Sequence, residues 1–344
     1  MKIGNIEISQ RTLVVAEIGN NHEGNFDLAK QMIEQAVETG VDAVKFQTIR
    51  AERFIARTEE KRFQQVKGFE LSDEQFRELA LLAQAKGLLF LSTPFDFKSV
   101  DMLDNLVPAY KIASGDLTSW YPFLEYIARK DKPIILSTGM SDVKEIAKAL
   151  EVIARVSSAP LNKKVVLLHC VTSYPVPIGE ANLLAIPYLK EKFRVPVGYS
   201  DHTLGTLSCQ TAVALGACVI EKHFTYRKEN QTFRDHALAA NLTEMRELVD
   251  NIRLIEASLG KYSKGIMECE KENKSVMRRS LAARKPLRQG ETMTPEALTF
   301  LRPGNGIPPE RWHTIIGHRV TRNIAQGTIL KEEDIEQQEI KELE

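Results

Sequence analysis

The feature that most constrains the fold is the regular alternation of short apolar runs with segments of helical periodicity. Between the runs, apolar residues recur at helical spacing, as in residues 26–40 and 73–87, and both of these segments close on glycine. Eight consecutive βα units within about 250 residues are what a (β/α)8 barrel requires, and runs that are apolar nearly throughout are typical of strands covered on both faces. We therefore predict an α/β chain with a TIM barrel whose strands lie at 12–19, 43–49, 88–95, 109–114, 133–139, 165–174, 195–201 and 218–225.

A doubly wound open sheet is the alternative for such a pattern. That architecture usually has fewer parallel strands and a phosphate-binding loop such as GxGxxG after the first strand. No such loop follows the first predicted strand here, so the pattern favours the barrel.

The pattern changes after the helical segment that closes near Gly260. We predict a barrel domain over 1–262, a charged linker over 263–280 and a small β-rich domain over 281–344. The last region carries a weak internal repeat, since Leu287, Gly290, Met293 and Leu298 recur 37 residues later as Ile324, Gly327, Leu330 and Ile335.

Composition excludes several classes of partner. Lys plus Arg and Asp plus Glu each number 46, so no net field marks a nucleic-acid or membrane-surface binder. The four cysteines form no CxxC pair, which favours a reducing compartment, and no apolar run approaches the roughly 18 residues of a membrane span. A cytoplasmic protein is expected.

Polar side chains close the predicted strands, and in a barrel these ends converge on the face that carries chemistry. Lys45 and Lys111 should meet at the C-terminal end of the barrel, on strands taken as neighbours, and repel each other unless an anion lies between them. Hydroxyl groups at neighbouring strand ends would then complete a phosphate or carboxylate site. Two plainer readings stay open: the hydroxyls cap the following helices, and each lysine pairs with a carboxylate such as Glu17 or Asp116.

His202 and His223 follow the ends of the last two predicted strands, so their imidazoles can point into one space and bind a divalent ion. With few protein ligands and oxygen donors nearby, Mn²⁺ or Mg²⁺ is favoured over a structural Zn²⁺. Hydrogen-bonded core histidines are the alternative.

Seven motifs follow one another in the order AEIGNNHEGNFDLAK, FLSTPFD, AYKIASGD, IILSTGM, HCVTSYPVP, GYSDHTLG and EKHFT. They resemble the ordered motifs of the sialic acid synthases, the nonulosonic acid synthase family, and the tail that begins LRPGNGIPP is similar to that family's antifreeze-like SAF domain. The resemblance covers residues 10–336. It implies an enzyme that condenses phosphoenolpyruvate with an N-acetylmannosamine-type sugar aldehyde and releases phosphate, as a homodimer whose tail domain reaches the partner's active site.

The resemblance also implies roles for individual positions. It places Glu17, His202 and His223 in catalysis, with the two histidines as ligands of Mn²⁺, or of Mg²⁺ or Co²⁺. Asp201 is assigned to catalysis from its position at the end of the seventh predicted strand. The positions that would hold phosphoenolpyruvate are Lys45, Thr93, Lys111, Ser114, Ser137, Thr172 and Ser200. Those around the sugar are Gln47, Asp116, Tyr174, Asp235 and Arg302, the last delivered by the partner subunit.

Three departures from the family pattern bear on the substrate. Thr172 stands where some members have Asn, Asp116 where some have Glu, and the segment 233–235 replaces a common Gly-Pro-Asp. The last two would touch the sugar, so a diacetamido-trideoxy acceptor, as in a legionaminic- or pseudaminic-type acid synthase, stays an alternative. Two other functions remain as alternatives. One is a metal-dependent barrel lyase or hydrolase, which should show more clustered His and Asp residues. The other is a binding role for the tail.

Overall fold

The structure is a computed structural model that describes residues 1–231 and 233–336. Its contacts divide the chain into two compact units, one of Met1–Gly260 and one from Lys261 onward. Residues 337–344 of the predicted C-terminal domain lie outside the described residues.

The first unit is built on one parallel sheet of eight strands, preceded by a short antiparallel hairpin of β1 (Lys2–Ile3) and β2 (Ile6–Glu7). The sheet strands are β3 (Leu13–Gly19), β4 (Ala43–Thr48), β5 (Leu89–Pro94), β6 (Tyr110–Ile112), β7 (Ile134–Ser137), β8 (Val165–His169), β9 (Val197–Asp201) and β10 (Val219–His223). Their order is β5-β4-β3-β10-β9-β8-β7-β6, in which the first and last strands along the chain, β3 and β10, pair with each other, and β5 packs beside β6. The predicted (β/α)8 barrel is therefore confirmed.

Strand order corrects one expectation about the two lysines. Lys45 lies on β4 and Lys111 on β6, and β5 runs between them, so the two strands are not neighbours. Their side chains can still meet, because alternate strands of a (β/α)8 barrel fill the same interior layer.

The lower end of the barrel is sealed by apolar side chains. Leu13, Val15, Val166, Leu168 and Val219 form one buried cluster with Ile3 and Ile8 from the N-terminal hairpin region. Because this end is filled with hydrocarbon, polar groups in the barrel interior are confined to the opposite end, where the strands finish.

Helices cover the outside of the barrel and bury a second apolar layer against it. They are α1 (Phe26–Glu38), α2 (Ala51–Phe54), α3 (Glu60–Phe69), α4 (Asp73–Ala85), α5 (Phe97–Leu103), α6 (Ser114–Leu117), α7 (Tyr121–Ala128), α8 (Val143–Val156), α9 (Leu161–Lys164), α10 (Ala185–Phe193), α11 (Leu207–Ala214), α12 (Asp235–Leu238) and α13 (Leu242–Leu259), with a 3₁₀ turn at Ile178–Glu180. In the described part of the chain, no helix is both long and apolar enough to cross a bilayer.

Local sequence explains where α4 begins and ends. The Ser72 hydroxyl accepts a hydrogen bond from the Gln75 amide, and the Gln75 side chain accepts one from the Ser72 amide, which is a capping box. Gly87 lies just past the end of this helix with a φ of +83°, a left-handed conformation that glycine adopts without steric cost.

The second unit contains α14 (Lys271–Met277), β11 (Ser280–Ala283), β12 (Leu298–Leu301), α15 (Trp312–Ile315) and 3₁₀ turns at Glu268–Glu270, Pro295–Ala297, Pro309–Arg311 and Glu332–Asp334. Strands β11 and β12 pair antiparallel. The sequence repeat is also a structural one, since Gly290 and Gly327 take φ values of +78° and +80° and Leu287 bridges Ile324. The apolar repeat positions supply much of this unit's own core.

Candidate active site

A polar cavity of about 130 Å³ lies inside the C-terminal end of the barrel, and we call it the base cavity. Its lining includes Glu17, Lys45, Gln47, Thr93, Lys111, Ser114, Ser137, Cys170, Thr172, Tyr174, Ser200, His202, Glu221 and His223. Each βα unit of the barrel contributes to this list, either from its strand or from the residues that follow it. The structure thus brings together most of the residues predicted from the strand ends.

Glu221 holds both lysines of the base cavity. Its Oε1 lies 3.3 Å from Lys111 Nζ, its Oε2 lies 3.7 Å from Lys45 Nζ, and the Ser200 hydroxyl donates to Oε1 at 2.9 Å. Burial by itself would raise the pKa of Glu221, but Lys111 and Lys45 outweigh it and lower that pKa to about 2. The carboxylate is therefore ionised at neutral pH. The plainer reading of the lysines is correct in part, with Glu221 rather than Asp116 as the second partner.

Glu17 is the other carboxylate of this network. Its Oε2 lies 2.7 Å from Lys45 Nζ, and the Gln47 amide donates to Oε1 at 3.2 Å. Burial raises the pKa of Glu17 to about 7, against the opposing effect of Lys45. Burial also lowers the pKa of Lys111, whereas Glu17 and Glu221 overcome burial and raise the pKa of Lys45. Glu17 can therefore exchange a proton near neutral pH.

Hydroxyl groups also line the base cavity. Thr93 accepts from Lys45 Nζ at 3.1 Å, and Ser114 accepts from the Gly139 amide at 3.1 Å. The buried hydroxyls of Ser137 and Thr172 have no hydrogen-bond partner within the described residues. A β-carbon at Gly139 would lie 2.2 Å from the Thr172 hydroxyl oxygen, so only glycine leaves room for that hydroxyl in the cavity. Unpaired buried donors next to two ammonium groups are suited to an anion.

The two histidines lie side by side, with ring centroids 5.5 Å apart, and the ring of Tyr174 packs at a tilt against His202, with centroids 4.3 Å apart. The carbonyl of Val171 lies 2.8 Å from His202 Nδ1; when Nδ1 donates this hydrogen bond, the lone pair is on Nε2. Burial lowers the pKa of His202 and of His223, so both rings are neutral at pH 7.

This pair fits a divalent cation on its own chemistry. Nδ1 of His223 is buried without a hydrogen-bond partner in the described part of the chain, and neutral imidazole nitrogens are metal ligands. Within residues 1–231 and 233–336, no group of three or more His, Cys, Asp or Glu side chains is arranged to hold a metal. A cation held here would therefore take its remaining ligands from water or substrate.

Above the base cavity the barrel opens into a larger chamber of about 1120 Å³, which we call the mouth. Gln47, Tyr174 and His223 line both spaces. The mouth also contains Asp116 and Asp235, and burial raises the pKa of Asp116 to about 6 and raises that of Asp235. Four of the five predicted sugar-binding residues therefore border the mouth.

Sequence reasoning missed the aromatic wall of the mouth. Phe54, Phe69, Phe95 and Phe233 line it, with Phe69 packed edge-on against Phe233. Arg234 covers the ring of Tyr174 at 4.5 Å and, like Lys61 and Arg62, lies at the exposed rim. The helices α2 and α3 that carry several of these residues follow β4, and the apolar positions of α3 were the available signal.

Asp201 does not line the base cavity. Successive side chains of a strand point to opposite faces, so Ser200 and His202 face inward while Asp201 faces the helices. There it is fully buried and lies 2.8 Å from Lys222 Nζ. This placement corrects the expectation that Asp201 takes part in the chemistry directly. Glu221 lines the cavity instead and contacts both of its lysines.

Arg302 belongs to the second unit and is exposed. Its side chain has no hydrogen bond or ion pair among the residues that the structure describes. The expectation that it serves a partner subunit stays a prediction.

The chain matches two family models and several named relatives. The model of the NeuB family matches residues 32–264, and that of the SAF domain matches residues 278–336. N,N'-diacetyllegionaminic acid synthase of Campylobacter jejuni is 40% identical over 94% of this chain and 100% of its own length. N-acetylneuraminate-9-phosphate synthase of Mus musculus is 33% identical over 94% of this chain and 92% of its own length.

A solved structure resembles the chain as well. The N-acetylneuraminic acid (sialic acid) synthetase of Leptospira borgpetersenii superposes with a TM-score of 0.73 at 36% identity, covering 79% of this chain and 94% of that one. Because the first family model spans well over half of the sequence and both match in chain order, the protein belongs to the NeuB family and carries a C-terminal SAF domain.

Proposed function

We propose that the protein condenses phosphoenolpyruvate with an N-acetylated amino-sugar aldehyde, releasing phosphate and forming a nonulosonic acid. The observation that carries the proposal is the base cavity, which Lys45 and Lys111 line together with the buried hydroxyls of Ser137 and Thr172, both without a hydrogen-bond partner among the described residues. This donor set suits a small ligand with both phosphate and carboxylate groups. The names of the relatives, all acid synthases of this sugar class, support the same assignment.

The adjoining mouth supports a sugar as the second substrate. A chamber of about 1120 Å³ is large enough for an amino sugar, and Gln47, Asp116, Tyr174 and Asp235 offer hydrogen-bonding groups. Because the mouth opens onto the base cavity beside His223, a sugar aldehyde bound there would point toward the anion below.

The chemistry follows from the two substrates. Carbon 3 of phosphoenolpyruvate attacks the aldehyde carbon, water adds at carbon 2, and the bond between carbon 2 and the phosphate oxygen breaks to leave a ketone. A divalent cation held by His202 and His223 would supply Lewis acidity for the aldehyde oxygen.

The chain's own residues would bind the anionic substrate, offset the charge on the leaving phosphate and accept a proton. Lys45 and Lys111 hold the anionic substrate and offset the charge on the departing phosphate. Glu17, with its pKa of about 7, is suited to accept the proton from the water that adds at carbon 2. Because Glu17 contacts Lys45, this base would lie next to an anion held by that lysine.

Two observations favour a diacetamido-trideoxy sugar over N-acetylmannosamine as the acceptor. The aromatic wall at Phe69 and Phe233 suits a less polar sugar, and the relative from Campylobacter jejuni named for the diacetylated product is more similar to this chain than the one from Mus musculus. One observation favours a different acceptor. Lys61, Arg62 and Arg234 lie at the rim of the mouth, where they would bind the phosphate group of a sugar phosphate.

The test is a turnover assay on the purified full chain. Phosphoenolpyruvate and Mn²⁺ are supplied with N-acetylmannosamine, its 6-phosphate or a diacetamido-trideoxy hexose, and phosphate release and product mass are measured. We expect turnover to be fastest with the trideoxy sugar. Absence of phosphate release with every sugar would contradict the proposed function, while preference for another sugar would contradict only the choice of acceptor.

For assembly, we propose a homodimer in which the SAF domain of one subunit brings Arg302 to the other subunit's mouth. An exposed arginine without a partner among the described residues is suited to such a role, and the resemblance to the sialic acid synthases supports it.

A further inference from the structure

A buried ion pair lies on the outer face of the barrel directly behind the two histidines. Asp201 of β9 is opposite Lys222 of β10 in the strand register, the side chains are 0% and 1% exposed, and Lys222 Nζ donates to Asp201 Oδ2 at 2.8 Å. Each member of the pair immediately precedes one of the two imidazoles, His202 and His223.

The pair is tied to the main chain on the far side of His202. Lys222 Nζ donates to the carbonyl of Thr203 at 2.6 Å, and Asp201 Oδ1 accepts from the Thr203 amide at 2.8 Å. The Tyr199 hydroxyl and the Cys209 thiol donate to the same carboxylate at 2.9 and 3.3 Å. The residues on both sides of His202 are therefore fixed by one network.

Residues that follow the neighbouring strand β8 also restrain His202. Its carbonyl accepts from the Val176 amide at 2.9 Å, and its ring contacts the Val171 carbonyl. Since β9 and β10 already pair through their backbones, the ion pair is not needed to join them. Taking two charges out of water opposes their attraction, and a buried pair of this kind is seldom a net source of stability.

We propose that Asp201 and Lys222 are positioning residues that set the separation and orientation of the His202 and His223 rings for a divalent cation. Neither touches the cation or the substrate; both act through the backbone on either side of the imidazoles. Groups that hydrogen-bond to metal ligands commonly change metal affinity by about ten- to hundredfold when they are removed, and we expect an effect in that range from a pair that acts through the adjacent backbone. The inference rests on the proposed function, which gives the two imidazoles a metal to bind.

The experiment measures Mn²⁺ binding to the full chain without substrates, by loss of the free-ion electron paramagnetic resonance signal. In the double variant Asp201→Asn/Lys222→Met, both charges are removed while the Asn side chain can still accept from the Thr203 amide. We expect Mn²⁺ to bind about ten- to hundredfold more weakly than to the wild type. Arg253→Met is the matched control, because it breaks the ion pair of Arg253 with buried Asp42, which lies before β4 at the opposite end of the barrel. Its Mn²⁺ affinity should equal that of the wild type.

Tyr199→Phe provides a milder test if the double variant does not fold. It deletes one hydroxyl that donates to Asp201 and leaves the ring in place, and we expect a several-fold loss of Mn²⁺ affinity. The proposal is overturned if the folded double variant binds Mn²⁺ with wild-type affinity, or if Tyr199→Phe does so when that variant alone folds. It is also overturned if Arg253→Met loses as much Mn²⁺ affinity as the tested variant, or if the wild type does not bind Mn²⁺. Selective loss of Mn²⁺ affinity together with a wild type that turns over none of the sugars would support the positioning role and contradict the proposed function.

Discussion

Glu221 Oε1 lies 3.3 Å from Lys111 Nζ inside the base cavity, and both side chains are buried. The same carboxylate lies 3.7 Å from Lys45 Nζ, so one negative charge serves two ammonium groups. A phosphate or carboxylate that bound between these lysines, as we propose, would share them with Glu221.

Replacing Glu221 by Gln should make the protein depend on a bound anion. The two lysines would lose their shared partner, and breaking a buried ion pair commonly lowers the free energy of unfolding by about 3–5 kcal/mol. Inorganic phosphate should restore more stability in this variant than in the wild type, because it supplies the missing charge. Urea unfolding with and without phosphate measures both effects.

Glu244→Gln is the control for that experiment, since Glu244 pairs with Lys228 at a partly exposed site outside the cavity. Its loss should change the free energy of unfolding by no more than about 1 kcal/mol. Equal stabilisation of Glu221→Gln and the wild type by phosphate would mean that no anion binds between the lysines.

Replacing Lys111 by Met should weaken phosphoenolpyruvate binding by about tenfold or more. A hydrogen bond to a charged group is worth about 1.5–3 kcal/mol, and Lys111 is 4% exposed. Calorimetry on the free protein measures the affinity. Lys164→Met is the matched control, because Lys164 is also buried but donates to a backbone carbonyl outside the cavity; a similar loss in both variants would indicate a general effect of burying methionine.

Strand periodicity was enough to predict the barrel and to bring the two lysines and the two histidines to one end of it. A run such as 218–225 is apolar enough to be a strand, and its polar residues Glu221 and His223 are two apart, which places them on one face. The same alternation separates Asp201 from His202, yet position at a strand end alone suggested a site for both. The side of the strand to which a side chain points, rather than its closeness in sequence, decides which polar residues meet.

Other features were beyond reach of the pattern. Strands β1 and β2 have two residues each, too few to show a period, although their region closes the lower end of the barrel. Lys45 and Lys111 share the carboxylate of Glu221 through contacts across the barrel interior. Along the chain, Lys111 is separated from Glu221 by 110 positions and Lys45 by 176. Local sequence carries no measure of such distances.

Asp116→Asn should stabilise the protein above neutral pH. Burial raises the pKa of Asp116 from 3.8 to about 6, so the folded state holds the proton more tightly than the unfolded state does. The stability from this group is present below pH 4 and is lost as pH rises through 6. At pH 8 the Asn variant should gain up to about 3 kcal/mol in the free energy of unfolding, and at pH 4 close to nothing. Urea unfolding at the two pH values measures this, and an equal gain at both would refute the ionisation argument.

Chelation should abolish turnover without unfolding the barrel. His202 and His223 are a sparse ligand set, and the barrel has its own apolar core, so the metal should be removable, unlike a structural zinc. EDTA treatment followed by circular dichroism and a phosphate-release assay separates the two effects, and His202→Ala should reduce the rate by several orders of magnitude. Full activity in EDTA would exclude a metal from the reaction.

Arg302→Ala should remove most of the turnover while leaving fold and dimerisation unchanged, because a single exposed guanidinium contributes little to stability. Exposed Arg311→Ala is the control within the same domain. If Arg302 acts on the partner subunit, mixing Arg302→Ala with Lys111→Met allows mixed dimers in which one mouth has both an intact cavity and an intact arginine. Activity should then recover toward a quarter of the wild-type level, given that subunits exchange at random and half of the dimers are mixed with one good site each. Mass spectrometry establishes the exchange, and exchanged dimers without recovered activity would show that the arginine serves its own chain or has no role in turnover.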